Sequence, residues 1–300
     1  MNVTIFKVES CMKKLLAFLL AVSMCFVFCA CGDNNNEDEV DYESLDTFKV
    51  GVLSAEIDVQ RETFDSMYSR IGAKGYRLEF VEFNSAEEAS DALAAKEIDV
   101  SLCSQKHEFT EYEKENPDVL LNLGPLFYTP YALYLCSYEK PDAIEDGCKI
   151  AVPSDEEGMA RALLLLENLG YIKVSDDAGI NVTLDDIEEN ERGFVFSAVS
   201  PDKIADNIET CETDMVVMSA ETARAGGYKV NFKSIGIENY LDAAVLDQHF
   251  LLLVNRSEIS SEKYKAVSTF FFSPMMYDSI ADSTGSYMLP AFSMEYGVNK

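Results

Sequence analysis

Short apolar strands alternate with helices along this chain, and this alternation restricts the fold more than any other feature of the sequence. The pattern first runs strand, helix, strand, helix, strand, which is typical of a parallel sheet with helices on its faces. A second series of the same kind begins after residue 148. The predicted strands are 49–53, 77–83, 98–103, 149–153, 194–199 and 214–218, and the predicted helices are 58–72, 86–96, 155–168 and 201–209.

Two further apolar runs, Tyr131–Cys136 and Phe250–Val254, lie on either side of the second series. We interpret them as strands that cross between two lobes, and a last helix over Glu262–Ile280 then closes the first lobe. The predicted fold is therefore α/β and two-lobed, with two crossover strands and a cleft between the lobes. Ligands of open α/β sheets bind outside the carboxyl ends of the strands. The expected lobes are 48–136 with 248–300, and 137–247.

The N-terminus has the pattern of an export signal. Lys13 and Lys14 precede an apolar run from Leu15 to Phe28, which has 14 residues. A membrane-spanning helix needs about 20 residues, so this shorter run favours a secretory signal peptide over residues 1–30, with Met12 as the natural start. An uncleaved apolar anchor is the alternative.

The apolar run ends at Ala30-Cys31-Gly32, which resembles the bacterial lipobox, although Phe28 stands where Leu is usual. The resemblance implies that Cys31 is lipidated and becomes the first residue of the mature protein. The chain is then held at the extracytoplasmic face of the cell membrane. The polar and acidic residues that follow cannot bury enough apolar surface to fold, so 31–47 is expected to be a tether. A plain signal peptide without lipidation is the alternative.

Composition excludes some classes of function. The net charge of −29 repels phosphates, so we expect no nucleic-acid partner. The 48% hydrophobic content supports a complete core. The chain has only two histidines, and it contains no GxSxG, HExxH or phosphate-binding glycine motif. The sequence therefore predicts neither an enzyme nor a cofactor or metal site. The cysteines of the folded part are scattered and are expected to be buried or free thiols: Cys103, Cys136, Cys148 and Cys211.

Polar residues that follow the predicted strands are candidates for contact with a small ligand. Each could instead be an ordinary loop or cap residue. The candidates from lobe 1 are Ser54 and Gln105, and those from lobe 2 are Ser154, Ser219 and Glu221.

Arg161 is the most specific candidate, because it lies among apolar residues early in the helix after Pro153. A guanidinium group matches a carboxylate bidentately. If it does so here, replacing Arg161 by alanine should weaken binding roughly 10- to 200-fold, at about 1.4 kcal/mol per decade, with little effect on folding. The alternative is an internal ion pair of Arg161 with Asp155 or Glu157.

Several phrases, taken in order, resemble the methionine-binding lipoprotein family of ABC importers, the NlpA-type lipoproteins. The resemblance runs from Phe48 to about Phe292. The phrases are Lys49–Val52, Gly75-Tyr76 with Val81–Phe83, Ala92-Leu93 with Glu97–Asp99, Pro130–Tyr134, Ile150–Pro153, Ala160–Leu163, Leu184–Glu189 and Pro290–Phe292.

This resemblance implies a periplasmic-binding-protein fold, a free amino acid in the cleft, and delivery to an ABC permease and its ATPase. Methionine is the leading single ligand. The carboxylate-binding arginine of the family falls on Arg161, and Tyr131 is also expected to contact the ligand. Other positions depart from the family: Ser219 and Glu221 lie near two asparagines of its pocket, and Ser154 replaces a third. Its histidine and tyrosine after the third strand correspond to Gln105 and Glu108.

Two alternatives remain open from the sequence. The first is the same fold with a different small solute, which could be cationic because Glu108 and Glu221 are acidic. The second is a sensor or structural surface lipoprotein without a role in transport.

Overall fold

The first of two main sheets forms around the N-terminal strands. The computed structural model describes residues 44–56, 61, 63–64, 68–229, 233–283 and 287–292. Within them, the strands of this sheet are β1 (Asp46–Leu53), β2 (Tyr76–Phe83), β3 (Val100–Ser101), β4 (Leu120–Tyr128), β12 (Phe250–Asn255) and β13 (Leu289–Pro290). Their order is β13-β4-β12-β3-β1-β2, with β1 parallel to β2 and β3 and with β12 antiparallel to β3.

The second sheet contains β5 (Tyr131–Leu135), β6 (Lys149–Pro153), β9 (Val195–Val199), β10 (Met215–Ser219) and β11 (Ser234–Ile237), and the small pair β7 (Lys173–Val174) and β8 (Ile187–Glu189) lies apart. Its order is β11-β5-β10-β6-β9. The strand β6 is parallel to both β9 and β10, while β5 is antiparallel to β10 and β11. Two separate sheets confirm the predicted two-lobed α/β fold.

The helices cover these sheets. They are α1 (Tyr68–Gly72), α2 (Ala86–Ala94), α3 (Lys106–Glu115), α4 (Glu156–Asn168), α5 (Pro201–Ile204), α6 (Asn207–Thr210), α7 (Ala220–Ala225), α8 (Glu262–Phe271) and α9 (Pro274–Ser283). Among the described residues, no helix is both long and apolar enough to cross a bilayer. The predicted signal peptide, Cys31 and most of the tether lie outside the described residues.

The chain passes between the sheets at two places. The first is Thr129-Pro130, between β4 and β5, and the second is the segment 238–249, between β11 and β12. Each of the two apolar runs is therefore a strand of one sheet, next to a passage. The strand β5 pairs with strands of the second sheet, so we propose that the lobes divide at Thr129-Pro130 rather than at residue 136.

The prediction of a single helix over Glu262–Ile280 was wrong, because α8 ends at Phe271 and α9 starts at Pro274. Proline has no N–H to donate and clashes with the preceding turn, so it begins a helix more readily than it continues one. The Ser273 hydroxyl accepts from the Met276 N–H at 3.2 Å and stabilises the new start.

Buried apolar side chains join the strands to the helices. In the second lobe, Leu163 and Leu166 of α4 pack with Ile150, Val152 and Val217 of the sheet. A second cluster includes Phe48 and Leu252 of the first sheet and Tyr134 of the second, so apolar contact continues past the passages. The four described cysteines are free thiols, as predicted, and only Cys211 of these four is exposed.

Candidate functional site

Five of the seven residues predicted to contact a ligand line one cavity of about 150 Å³ next to the two passages: Gln105, Tyr131, Arg161, Ser219 and Glu221. Its other lining residues are Thr129, Glu157, Gln248 and Phe250. Ser154 and Ser54 do not line it. Ser154 instead lies exposed before α4, with its N–H bonded to the Val199 carbonyl at 2.9 Å, and Ser54 begins a short 3-10 turn after β1.

A larger depression of about 540 Å³ lies between α2 and α3. It contains Ser104 and His107 but not Arg161. We assign the candidate site to the smaller cavity, because residues of both lobes and both passages meet there.

The start of α4 fixes the position of Arg161. Pro153 ends β6, and the Asp155 carboxylate caps the helix by accepting from the Gly158 N–H at 2.7 Å. A β-carbon on residue 158 would lie 2.7 Å from the Pro153 Cβ and 2.8 Å from both Asp155 carboxylate oxygens. Glycine is therefore required by space at this turn, and Arg161 follows one turn later.

Replacing Gly158 by alanine is expected to destabilise the protein by about 1–3 kcal/mol, because the added methyl displaces the proline or the cap. At an uncrowded helical position the same change would stabilise by roughly 0.5–1 kcal/mol. Urea unfolding of the variant measures the change in the free energy of unfolding. A variant as stable as the unsubstituted protein, or more stable, would show that the crowding at Pro153 is absent.

Arg161 is buried and forms a two-pronged ion pair with Glu238. Its Nε donates to Glu238 Oε1 at 3.1 Å, and its Nη2 donates to Glu238 Oε2 at 2.5 Å. The exposed fractions are 6% for Arg161 and 4% for Glu238. Nη2 also donates to the carbonyl oxygen of Thr129 at 2.9 Å. The guanidinium of α4 is thus bonded to both passages between the lobes.

Glu238 is itself held by the residues on either side of the other passage. Its Oε2 accepts from the Tyr131 N–H at 2.7 Å, and its own N–H donates to the Tyr131 carbonyl at 3.0 Å. The Tyr128 hydroxyl donates to the Glu238 carbonyl at 2.9 Å. A carboxylate held in this way cannot leave Arg161 without also losing the bond from the Tyr131 N–H.

The electrostatics of the pair follow from its burial. Burial alone would lower the pKa of Arg161, but the adjacent Glu238 carboxylate outweighs it and raises that pKa above its ordinary value. Burial raises the pKa of Glu238, while Arg161 and the Tyr131 N–H oppose that shift by stabilising the charged form. Arg161 is therefore a permanent cation whose charge is compensated inside the protein.

Asp155 and Glu157 were the predicted partners for an internal ion pair of Arg161, but neither is its main partner. Asp155 caps the helix, and Glu157 is 57% exposed, with Oε1 lying 3.5 Å from Arg161 Nη1. The guanidinium carbon lies 4.3 Å from the centre of the Tyr131 ring, in a cation–π contact. Arg161 thus lines the cavity, and an internal carboxylate does bind it, but that carboxylate is Glu238. Contact of Arg161 with a ligand stays a prediction.

Sequence reasoning missed Glu238, Thr129 and Gln248. The one available signal was position: Glu238 and Thr129 directly follow strands of the two sheets, at the points where the chain changes lobe. Gln248 precedes the run that becomes β12 by two positions. Residues at the ends of crossover segments are therefore as good candidates for a binding site as residues at the carboxyl ends of parallel strands.

Comparison with known proteins identifies the family. The curated relatives include the methionine-binding lipoprotein MetQ of Bacillus subtilis, which is 26% identical over 281 residues, 93% of this chain and 99% of that protein. A crystal structure from Ruminococcus gnavus is 27% identical with a TM-score of 0.55, covering 82% of this chain and 99% of that one. Lipoprotein Tp32 of Treponema pallidum shares the fold, at 22% identity and a TM-score of 0.55 over 82% of this chain and 99% of that one. The model of the NlpA lipoprotein family matches residues 48–292. Since this match covers most of the chain, the protein belongs to the NlpA lipoprotein family.

Proposed function

We propose that this protein is the lipid-anchored solute-binding component of an ABC importer and captures a small, amino acid-like solute in the cavity around Arg161. The observation that carries the proposal is the meeting of Gln105, from the first lobe, with Tyr131, Arg161, Ser219 and Glu221, from the second, at one cavity. Two lobes joined by short passages can close on a ligand by a hinge motion. The permease and ATPase then receive the solute. The proposal assigns binding and no catalysis to this cavity.

The size of the cavity supports a small ligand. Its volume of about 150 Å³ lies below the roughly 300–1,000 Å³ of sites for drug-sized ligands. A free amino acid or a compound of similar size is therefore the class to test first. Methionine is the leading candidate, because the Bacillus subtilis relative is a methionine-binding lipoprotein.

A thermal-shift screen of the full-length protein in detergent micelles, against the amino acids and a set of dipeptides, tests this proposal. A ligand present at 100 times its Kd should stabilise the folded state by about 2.7 kcal/mol and raise the Tm by several degrees. The absence of a shift with every compound at millimolar concentration would contradict the proposal.

Replacing Cys31 by serine is expected to release the protein from the membrane, because we propose that lipid on this cysteine is its only anchor. Fractionation of cells should find the unsubstituted protein in the membrane pellet and the Cys31→Ser variant in the soluble extracytoplasmic fraction. A matched Cys29→Ser variant is the control and should remain in the pellet. A Cys31→Ser variant that stays in the pellet after washing would refute the anchor.

A further inference from the structure

The geometry points to a cavity that prefers solutes with net positive charge, such as amino acid amides or diamines, over zwitterions of the same size. This inference rests on the proposed function and refines it, since it names the charge class of the ligand. It follows from two independent features of the site: the hydrogen-bonding state of Arg161 and the balance of charge around the cavity.

The guanidinium of Arg161 has no free pair of donors for a ligand carboxylate. A two-pronged contact uses either the Nε and Nη2 edge or the Nη1 and Nη2 edge, and both edges need Nη2. Its two hydrogens are donated to Glu238 and to the Thr129 carbonyl. Nη1 alone remains for a ligand, and it lies 3.5 Å from Glu157 Oε1. A ligand carboxylate would gain one contact at most and would meet that glutamate.

Glu238 cannot readily give up its place to the ligand. It is 4% exposed, and its Oε2 also accepts from the Tyr131 N–H at 2.7 Å. A buried carboxylate that lost Arg161 would be left charged without a counter-ion, which is unfavourable. The ion pair is therefore a fixed part of the wall.

The charges around the cavity have a negative excess. Among the described residues that line the cavity, Arg161 is the one cation, and its charge is balanced by Glu238. Glu157 and Glu221 also line the cavity, and both are exposed. The remaining polar lining residues are the neutral Gln105, Thr129, Ser219 and Gln248. One positive and three negative groups thus leave two uncompensated negative charges for a ligand to neutralise.

Lys106 does not correct this balance. Lys106 follows Gln105 in the chain, but its Nζ bonds Asp247 Oδ1 at 2.7 Å, and neither residue lines the cavity. A bound ammonium group would also meet the aromatic ring of Phe250 in the wall, whereas Arg161 already covers one face of the Tyr131 ring. The negative charge around the cavity and the aromatic ring in its wall both favour a cation, and neither favours a carboxylate.

A charge series on a constant side chain tests the inference. The full-length protein in detergent micelles is titrated by calorimetry with N-acetyl-L-methionine, L-methionine and L-methioninamide, and with the same three forms of leucine and of lysine. The titrations are made at about pH 6, where α-amino groups are protonated. We expect each amide to bind at least tenfold more tightly than its parent amino acid, and each N-acetyl form to bind least. The preference should decline as salt is added.

The Glu221→Gln variant should reduce the preference for the amide severalfold. The matched control, Glu188→Gln, replaces an exposed glutamate of β8 outside the cavity lining and should leave the preference unchanged.

The outcomes separate the two proposals. Amino acids that bind as tightly as their amides, or more tightly, would overturn the inference about charge and leave solute binding intact. An unchanged preference in Glu221→Gln would overturn it as well. If no member of any series binds, the inference about charge fails, and solute binding fails with it only when the thermal-shift screen also finds no ligand.

Discussion

Replacing Glu238 by alanine is expected to lower the free energy of unfolding by about 3–5 kcal/mol, because it leaves the buried cation of Arg161 without its counter-ion. Nε and Nη2 of Arg161 both lose an acceptor, and the Tyr131 N–H loses its bond of 2.7 Å. Folded proteins have only about 5–15 kcal/mol of net stability, so this one change would remove a large part of it.

Urea unfolding followed by circular dichroism measures the effect, and Glu157→Ala is the matched control. Glu157 is also close to Arg161, but at 3.5 Å and with 57% of its side chain exposed. Exposed pairs contribute about 0–1 kcal/mol, so this variant should unfold almost as the unsubstituted protein does. Equal effects of the two substitutions would mean that the buried pair with Glu238 does not form.

Replacing Arg161 by alanine is expected to destabilise the protein by a similar amount, about 3–5 kcal/mol, because Glu238 then remains buried and unpaired. This differs from the expectation from sequence, in which a cleft arginine supports no core and folding is unaffected. The 6% exposure of Arg161 and its bond to the Thr129 carbonyl are the reasons for the change.

The double variant Arg161→Ala with Glu238→Ala tests the coupling directly. Its loss should be smaller than the sum of the two single losses by about 0.5–3 kcal/mol, since no unpaired charge remains. Arg161→Lys should lie between the single variant and the unsubstituted protein, because an ammonium cannot form the planar fork. Additive losses in the double variant would refute the ion pair as the source of the stability.

Strands with continuous apolar runs were predicted almost to the residue. The run 149–153 is β6 without change, and Phe250–Val254 is one residue shorter than β12. The strand β4 was missed because Gly124 and Pro125 interrupt its pattern, and Gly124 has a φ of +136°. Its pairing with β12 shifts register near Leu251, which an apolar pattern does not encode. Local pattern therefore predicted these two continuous apolar strands well, whereas of the strand predicted over 98–103 only Val100–Ser101 forms β3.

The candidate site was predictable in part for a similar reason. Arg161, Ser219 and Gln105 each follow a predicted strand closely, so the topology alone brings them to one edge. The partner of Arg161 is 77 positions away, at the end of β11. Nothing local marks Glu238 as its counter-ion, because their contact depends on how the two passages lie against α4. The pairing of Arg161 with Glu238 can therefore be identified only from the three-dimensional structure.

The most direct test of the central claim, that a solute binds in the cavity around Arg161, is calorimetric titration of a variant in which the cavity is filled. Gln105→Trp places a large side chain in a space of about 150 Å³, from a position in the first lobe. With L-methionine, L-methioninamide and the compound that gives the largest thermal shift, this variant should bind at least tenfold more weakly, with its Tm without ligand little changed. Glu188→Trp, outside the cavity lining, should bind normally. Unchanged affinity in Gln105→Trp would show that the solute binds elsewhere and would contradict the account.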